Sequence, residues 1–445
     1  MASESARRRR AAPGKIAMDE LRVLVNGELL GVVAQRTNAD LVLTYEPSWQ
    51  ERDDAFPLSL SMPLAQRVHG DQVVRPFMEN LLPDNAQILD RWARQFHVSA
   101  RNPFALLTHM GEDCAGAVQF VRANRYEEVI AAGPGEIEWL TEEEVAVRLR
   151  DLVEHHGTGR LPIDRGHFSL AGAQPKMPLL LEGGRWGIPS GRVPTTHILK
   201  PPAQQGLSGF DVNEHLCLRL AKELGLAVAE SRLQSFAGQD ALVVARYDRL
   251  RIDEGLVMRL HQEDTCQSLG VSPLRKYENE GGPGPAEIVN LLLRESDDAA
   301  TDVAAFLDAL VFNWVIGGTD AHAKNYSLLL SSASVRLAPL YDLISILPYP
   351  QRVPHREAAL AMRIDREYRL WKIRRRHWEG LAARCDLDPD PVVERVGQFV
   401  AAVPAAMERA AADVRSEGVE HQIIERLEVD VREHSERCLQ VLGLR

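Results

Sequence analysis

Hydrophobic and polar positions change rhythm several times along this chain. From Leu21 to Ala34 the run LRVLVNGELLGVVA sets two apolar stretches about Asn26 and Gly27, the pattern of a β-hairpin with a tight turn. Helical spacing then governs Phe77 to Leu82 and Ile88 to Phe96. A glycine-bearing, partly acidic stretch, Ala131 to Glu138, reads as a boundary, and an acidic helix near Glu142 to His155 follows it. Strand-like runs resume at Gly166 with KMPLLLEGG, a turn at WGIPSG and the strand PTTHILK. A helix from Asp211 to Leu224 stops at Gly225, and ALVVARYDR forms a further strand. Beyond Leu256 helical spacing prevails to Arg445. The expected organisation is α+β: a disordered basic tail over 1–18, a mixed module over 19–135, a β-rich lobe over 136–250 and an all-helical lobe over 251–445.

The most apolar stretch, Val303 to Gly318, carries Asp308 and Asn313 and is too short to span a bilayer, so it reads as a buried helix ended by Gly317 and Gly318. No apolar region follows Arg10 in the basic N-terminus, which excludes a secretory signal there. The 445 residues are 45% hydrophobic and 26% charged, enough for a sizeable core in two or three domains. A formal net charge of -11 argues against a general nucleic-acid coat and leaves DNA contact to a local patch or a partner. The five cysteines are scattered without a CxxC pair, which argues against a disulfide framework or a zinc site and fits a reducing cytoplasm.

The chemistry gathers after the apolar helix. GGTDAHAKNY places Asp320 five residues before Asn325, and Asp342 follows in APLYDL. In phosphoryl transfer one carboxylate accepts the hydroxyl proton, while an amide and a second carboxylate hold magnesium on the nucleotide phosphates. If YSLLL and VRLAPL form a hairpin turning at Ser332 and Ala333, Asn325 lies opposite Leu340 and Asp342 falls near Ala323. That is within one strand spacing, ~5 Å. The same residues would also suit a turn cap, a left-handed loop position and a strand end. Lys324 is placed to neutralise phosphate charge, and His322 to orient the loop or touch the nucleotide.

Lys200 closes the strand THILK, and Glu214 sits on the apolar stripe of the next helix, where a carboxylate needs a cationic partner. Asp211 and Glu214 would alternatively form a capping-box-like pair. No G-x-G-x-x-G loop is present; SLAGAQPK, Ser169 to Lys176, offers small residues whose backbone N–H groups could cradle phosphates.

SLAGAQPKMPLLL, PTTHILKPP, NEHLCLRLAKELGL, ARYDR, RLHQEDTCQSLG, KYENEGGPG, GGTDAHAKNYSLLL and LAPLYDLIS occur in the order seen in HipA-type serine/threonine kinases. MENLLPD, NPFALL and GEDCAGAVQF resemble that family's N-terminal subdomain, and the likeness runs from about Leu21 to Leu442. The resemblance implies a two-lobed protein-kinase-like fold with an added N-terminal subdomain, using ATP and Mg2+. It implies Asp320 as catalytic base, Asn325 and Asp342 as metal ligands, and Lys200 as the phosphate lysine with Glu214 as its partner. The implied nucleotide contacts are Ala171, Gly172, Ala173, Gln174, Pro175 and Lys176 in the phosphate loop. Further contacts are Ala245, Arg246 and Tyr247 at the hinge, and His322, Ala323, Lys324, Asn325, Tyr341 and Asp342 beyond it. Ala245 stands where the family offers a glutamate. Ser169 matches the serine such kinases autophosphorylate, expelling the phosphate loop. The implied partners are a helix-turn-helix antitoxin of the HipB kind, operator DNA reached mainly through it, and an aminoacyl-tRNA synthetase, glutamyl type first, as substrate. No membrane partner is implied. WKIRRRHW resembles the region that approaches DNA, with Lys372 and Arg376 as the contacts, although a solvated amphipathic face reads equally well. Two other functions share these motifs: a small-molecule or lipid kinase of the same fold, and a non-catalytic corepressor or scaffold.

Overall fold

The structure is a computed structural model that describes residues 19–131, 135–154, 169, 171–172, 174–203, 207–253 and 256–444. The basic tail 1–18 and Ala173 of the phosphate loop lie outside the described residues. The first module is a five-stranded antiparallel sheet ordered β4-β3-β2-β1-β5. Its strands are β1 (Asp19–Val25), β2 (Glu28–Gln35), β3 (Leu41–Tyr45), β4 (Val68–His69) and β5 (Val118–Arg122). Asn26 and Gly27 take φ of 49° and 90°, the double left-handed turn that matches strand twist. Alternation in β1 sends Leu21, Val23 and Val25 to one face, where the helices Asp71–Asn80, Ala86–Phe96 and Pro103–Met110 close a core with Phe77, Trp92 and Phe104. Asn85 and Asn102 cap the second and third of these helices by accepting from their first-turn N–H groups.

A six-stranded antiparallel sheet, ordered β10-β11-β9-β7-β8-β6, follows. It consists of β6 (Ile137–Leu140), β7 (Met177–Glu182), β8 (Arg185–Pro189), β9 (His197–Lys200), β10 (Ser231–Phe236) and β11 (Gln239–Ala245). The stretch expected as a WGIPSG turn is mostly strand β8. Gly183 and Gly184 make the turn instead, and Trp186 and Ile188 bury against Leu140 and Leu179. The helix Glu142–Glu154 packs Val145, Leu149 and Leu152 on one face of this sheet. The helix Phe210–Glu223 lies beyond its other side and faces the third core.

That third core gathers the helices Pro285–Glu295, Ala299–Ile316, Arg375–Arg384, Pro389–Ser416 and Gln422–Leu442. The apolar helix Ala299–Ile316 is mostly buried, continuously so from Ala309 to Ile316, and Gly317 ends it with φ of 67°. This lobe is not all-helical. It carries β12 (Arg249–Asp253) paired with β13 (Leu256–Arg259), a three-stranded sheet of β14 (His261–Asp264), β15 (Ser327–Leu330) and β16 (Val335–Leu337), and a ribbon of β17 (Ala359–Ile364) with β18 (Glu367–Arg369). Strands this short, set between helices, carry too few alternations to leave a two-residue period in the sequence. The catalytic hairpin has the expected register, with Leu328 opposite Leu337 and Leu330 opposite Val335. After Ala338 the chain leaves β15. Leu340 instead exchanges backbone hydrogen bonds with Ala227 and Ala229, which tether the approach to Asp342 to the linker before β10.

The first module is joined to the rest by a buried ionic cluster. Asp113 accepts from Arg249 at 2.9 Å and Arg259 at 3.2 Å, while Asp248 accepts from Arg246 at 2.8 Å and from the Gly116 N–H at 2.7 Å. Arg246 also donates to Thr195 and to the Cys114 carbonyl. Burial pushes both carboxyls up, but the surrounding guanidiniums outweigh it and hold Asp113 and Asp248 below the usual carboxylate range.

Candidate active site

A solvent-open cleft lies where the three cores meet, lined from the first module by Leu81 and Asp84, from the sheet by Ile198 and Lys200, and from the third core by Lys324 and Asn325. Lys200 reaches it from the end of β9, and Glu214 from the first turns of the Phe210–Glu223 helix. Lys200 Nζ donates to Glu214 Oε1 at 2.7 Å and also to Asp342 Oδ1. Burial alone would push the Lys200 ammonium down; the two carboxylates reverse this and hold it above the ordinary lysine value. Asp342 is likewise driven up by burial and pulled below the usual range by Lys200 and Lys176. Burial pushes Glu214 up to about 7 against the pull of Lys200, and its Oε2 has no hydrogen-bond partner among the described residues. The capping-box alternative is absent, since the helix N-cap is Gly209 without a side-chain bond and Glu214 is spent on Lys200. Asp342 has φ of 53°, a left-handed backbone that an aspartate adopts only at a cost, as at many functional sites.

The loop after Gly317 places His322, Lys324 and Asn325 on the cleft wall, with Asp320 exposed beside them. Tyr277 OH donates to Asp320 Oδ1 at 2.6 Å. The Asn325 amide donates to the Asp320 carbonyl at 3.2 Å, which leaves its own oxygen available. Ala323 is buried and bonded through its backbone to Lys276 and Thr265, so it shapes the loop without lining the cleft. Lys324 does not point into open space for phosphate; its Nζ pairs with Asp84 Oδ1 at 2.6 Å. Burial and the Lys276 charge push the His322 imidazole down to about 4, and its Nδ1 has no hydrogen-bond partner among the described residues.

In the phosphate loop, Ala171, Gly172 and Lys176 line the cleft, whereas Gln174 and Pro175 do not. Gly172 has φ of 105°, a left-handed backbone that favours glycine, and a Cβ there would stand 2.5 Å from Lys176 Nζ and displace the end of that side chain. At the opposite end Ala245, Arg246 and Tyr247 form the wall with Ile198, Val244 and Tyr341. The Tyr247 and Tyr341 rings stack at 5.9 Å, and Tyr247 OH bonds Gln262. The Arg246 guanidinium turns away into the ionic cluster, leaving its backbone at the wall. Ser169 is fully buried; its hydroxyl donates to the Leu81 carbonyl at 2.8 Å and its N–H to the Asp113 carbonyl at 3.0 Å. Lys372 and Arg376 are exposed, outside the cleft.

The oxygen donors fit a hard divalent ion. Asp342 is held ionised, Asn325 lines the same cleft, and magnesium takes one or two protein ligands beside nucleotide phosphates. Asp84, Tyr277, Lys276 and Gln262 carry no signal as site residues in the sequence. MENLLPD and KYENEGGPG stand out as motifs, but nothing in their spacing ties them to Asp320.

Comparison with known proteins shows the family. The HipA-like C-terminal domain matches residues 168–407 and the HipA N-terminal domain residues 21–121. The chain belongs to the HipA family. The protein Y4mE of Sinorhizobium fredii is 38% identical over 399 residues, covering 88% of this chain and 92% of that protein. The serine/threonine-protein kinase toxin HipA of Shewanella oneidensis is 34% identical over 356 residues, covering 76% and 77%. A solved structure from Shewanella oneidensis, of HipA with HipB and its operator DNA, superposes with a TM-score of 0.80 at 26% identity, covering 95% of this chain and 98% of that one. The two-lobed kinase-like fold and membership among the HipA serine/threonine kinases are thus shown for this HipA-family protein.

Proposed function

We propose that this kinase transfers the γ-phosphoryl group of ATP to a serine or threonine of a protein, as the toxin of a toxin–antitoxin pair in the bacterial cytoplasm. The observation that carries the reading is the convergence of Lys200, Glu214 and Asp342 with the Asp320–Asn325 loop on one cleft. Asp342 and Asn325 would hold magnesium, which when bound supplies positive charge to the β- and γ-phosphate oxygens. Lys200, anchored by Glu214, neutralises phosphate charge, and Lys176 approaches the same region from the phosphate loop. Tyr247, Tyr341 and the hinge backbone enclose the base. Asp320, steadied by Tyr277, takes the hydroxyl proton as the substrate oxygen bonds to phosphorus and the bond to ADP breaks.

Ser169 is the proposed site of self-inactivation. Its hydroxyl and N–H meet two backbone carbonyls, so a phosphate, which offers only acceptors in place of the hydroxyl donor, could not re-enter this pocket. The proposed partners are a HipB-like antitoxin, operator DNA through that antitoxin with Lys372 and Arg376 at its margin, and an aminoacyl-tRNA synthetase as substrate. The test incubates the purified chain with γ-labelled ATP and magnesium and maps the label by mass spectrometry. Label on Ser169 is expected. Absence of nucleotide binding would favour a scaffold, and label on a small molecule rather than protein would redirect the substrate class.

A further inference from the structure

The segment Glu79–Asp84 belongs to the first module, yet it joins both loops at the phosphate end of the cleft. Ser169 OH donates to the Leu81 carbonyl at 2.8 Å, and the Asp84 N–H donates to the Gly172 carbonyl at 3.2 Å. The Asp84 carboxylate then bridges two ammoniums, Lys324 at 2.6 Å and Lys276 at 2.8 Å. Lys276 is in turn bonded through its carbonyl to the Ala323 N–H, and its neighbour Tyr277 holds Asp320. One carboxylate therefore stands between the loop that cradles phosphate and the loop that carries the base.

We infer that Asp84 is a positioning residue for phosphoryl transfer: it fixes the spacing of the two loops and keeps Lys324 engaged away from the nucleotide phosphates. This inference rests on the kinase reading above. Lys324 is buried, and a buried ammonium requires a counter-charge. Asp84 supplies it; burial raises its carboxyl, but Lys324 and Lys276 outweigh this and keep it ionised. Without that charge, Lys324 has the nucleotide's phosphates as its alternative anion. ATP binding then tightens while the loop carrying Asp320 and Asn325 loses an anchor. Affinity and turnover move in opposite directions, which a general loss of structure cannot produce.

The experiment compares the full chain with Asp84→Asn, which keeps the backbone bond to Gly172 and removes the charge. ATP affinity is read by titration calorimetry and γ-phosphoryl transfer by label incorporation. The expected result is ATP binding tightened several-fold and transfer slowed by about ten-fold or more, the loss of a hydrogen bond between charged groups. Asp84→Glu should restore most of the rate. Lys276→Gln removes one arm of the bridge and should slow transfer less. If Asp84→Asn fails to fold, Lys276→Gln decides, and an unchanged rate there overturns the assignment. So does an unchanged rate in folded Asp84→Asn, or affinity and rate lost together without a shift in melting. Absence of transfer by the unaltered chain would instead remove the kinase reading itself, and Asp84's role with it.

Discussion

Two buried ionic clusters lie close together in this molecule and have different uses. In the first, Asp113 and Asp248 are enclosed by three guanidiniums, Arg246, Arg249 and Arg259, with the Gly116 N–H and the Cys114 carbonyl taking further bonds. In the second, Lys200, Glu214 and Asp342 leave Glu214 Oε2 without a partner among the described residues and open onto the cleft. The closed cluster fastens the first module to the lobes. The open one has its charged groups on the cleft wall, with Lys200 and Asp342 both lining it. Buried charge alone therefore does not mark a functional site; the surroundings of each group decide.

The largest effect should come from the open side. Asp320→Asn is expected to lower phosphoryl transfer on the order of 10²- to 10⁴-fold, with the melting temperature unchanged because Asp320 is exposed. A time course of label incorporation checks this. On the closed side, Asp113→Ala leaves three guanidiniums short of a counter-charge and should cost about 3–5 kcal/mol of stability, measured by denaturant unfolding. If Asp113→Ala instead cut transfer without destabilising, the division between the clusters would fail. Tyr277→Phe removes a hydrogen bond to the proposed base while keeping the ring. A fall in kcat of about ten-fold with little change in the KM for ATP is expected.

The smallest effect concerns pH and lies outside both clusters. His434 donates through Nε2–H to the Trp314 carbonyl, and burial pushes the imidazole down to about 4. An imidazole held neutral in the folded state contributes stability above the unfolded value near 6.5, and that stability is lost as pH falls from there towards 4. His434→Gln should therefore flatten the acid side of the stability profile by about 1–2 kcal/mol at pH 5, read from thermal melts across pH.

Part of the candidate site is legible in the amino-acid sequence. The apolar helix, the double glycine and the short hairpin follow from local chain geometry, and Lys200 and Glu214 lie on adjacent elements, whereas the approach to Asp342 is held by Ala227 and Ala229 from a distant segment. What is not legible depends on distant segments. Asp84 meets Lys324 across 240 positions, and Tyr277 meets Asp320 across 43, so no periodicity connects them. The same reason explains ARYDR: Arg246 looks like part of a nucleotide hinge, but its guanidinium is bonded to Asp248 and Thr195. The β-strands of the helical lobe escape for a different reason, being too short to show alternation.

The central claim is that the open cluster and its loop form a phosphoryl-transfer site. The most direct test is single-turnover transfer from γ-labelled ATP with magnesium by the purified chain and by Lys200→Met, each first confirmed as folded by its melting transition. The account predicts label on protein from the unaltered chain and a loss of at least about 100-fold in the variant, by removing the charge that steadies the phosphates. Equal labelling by the two would contradict it.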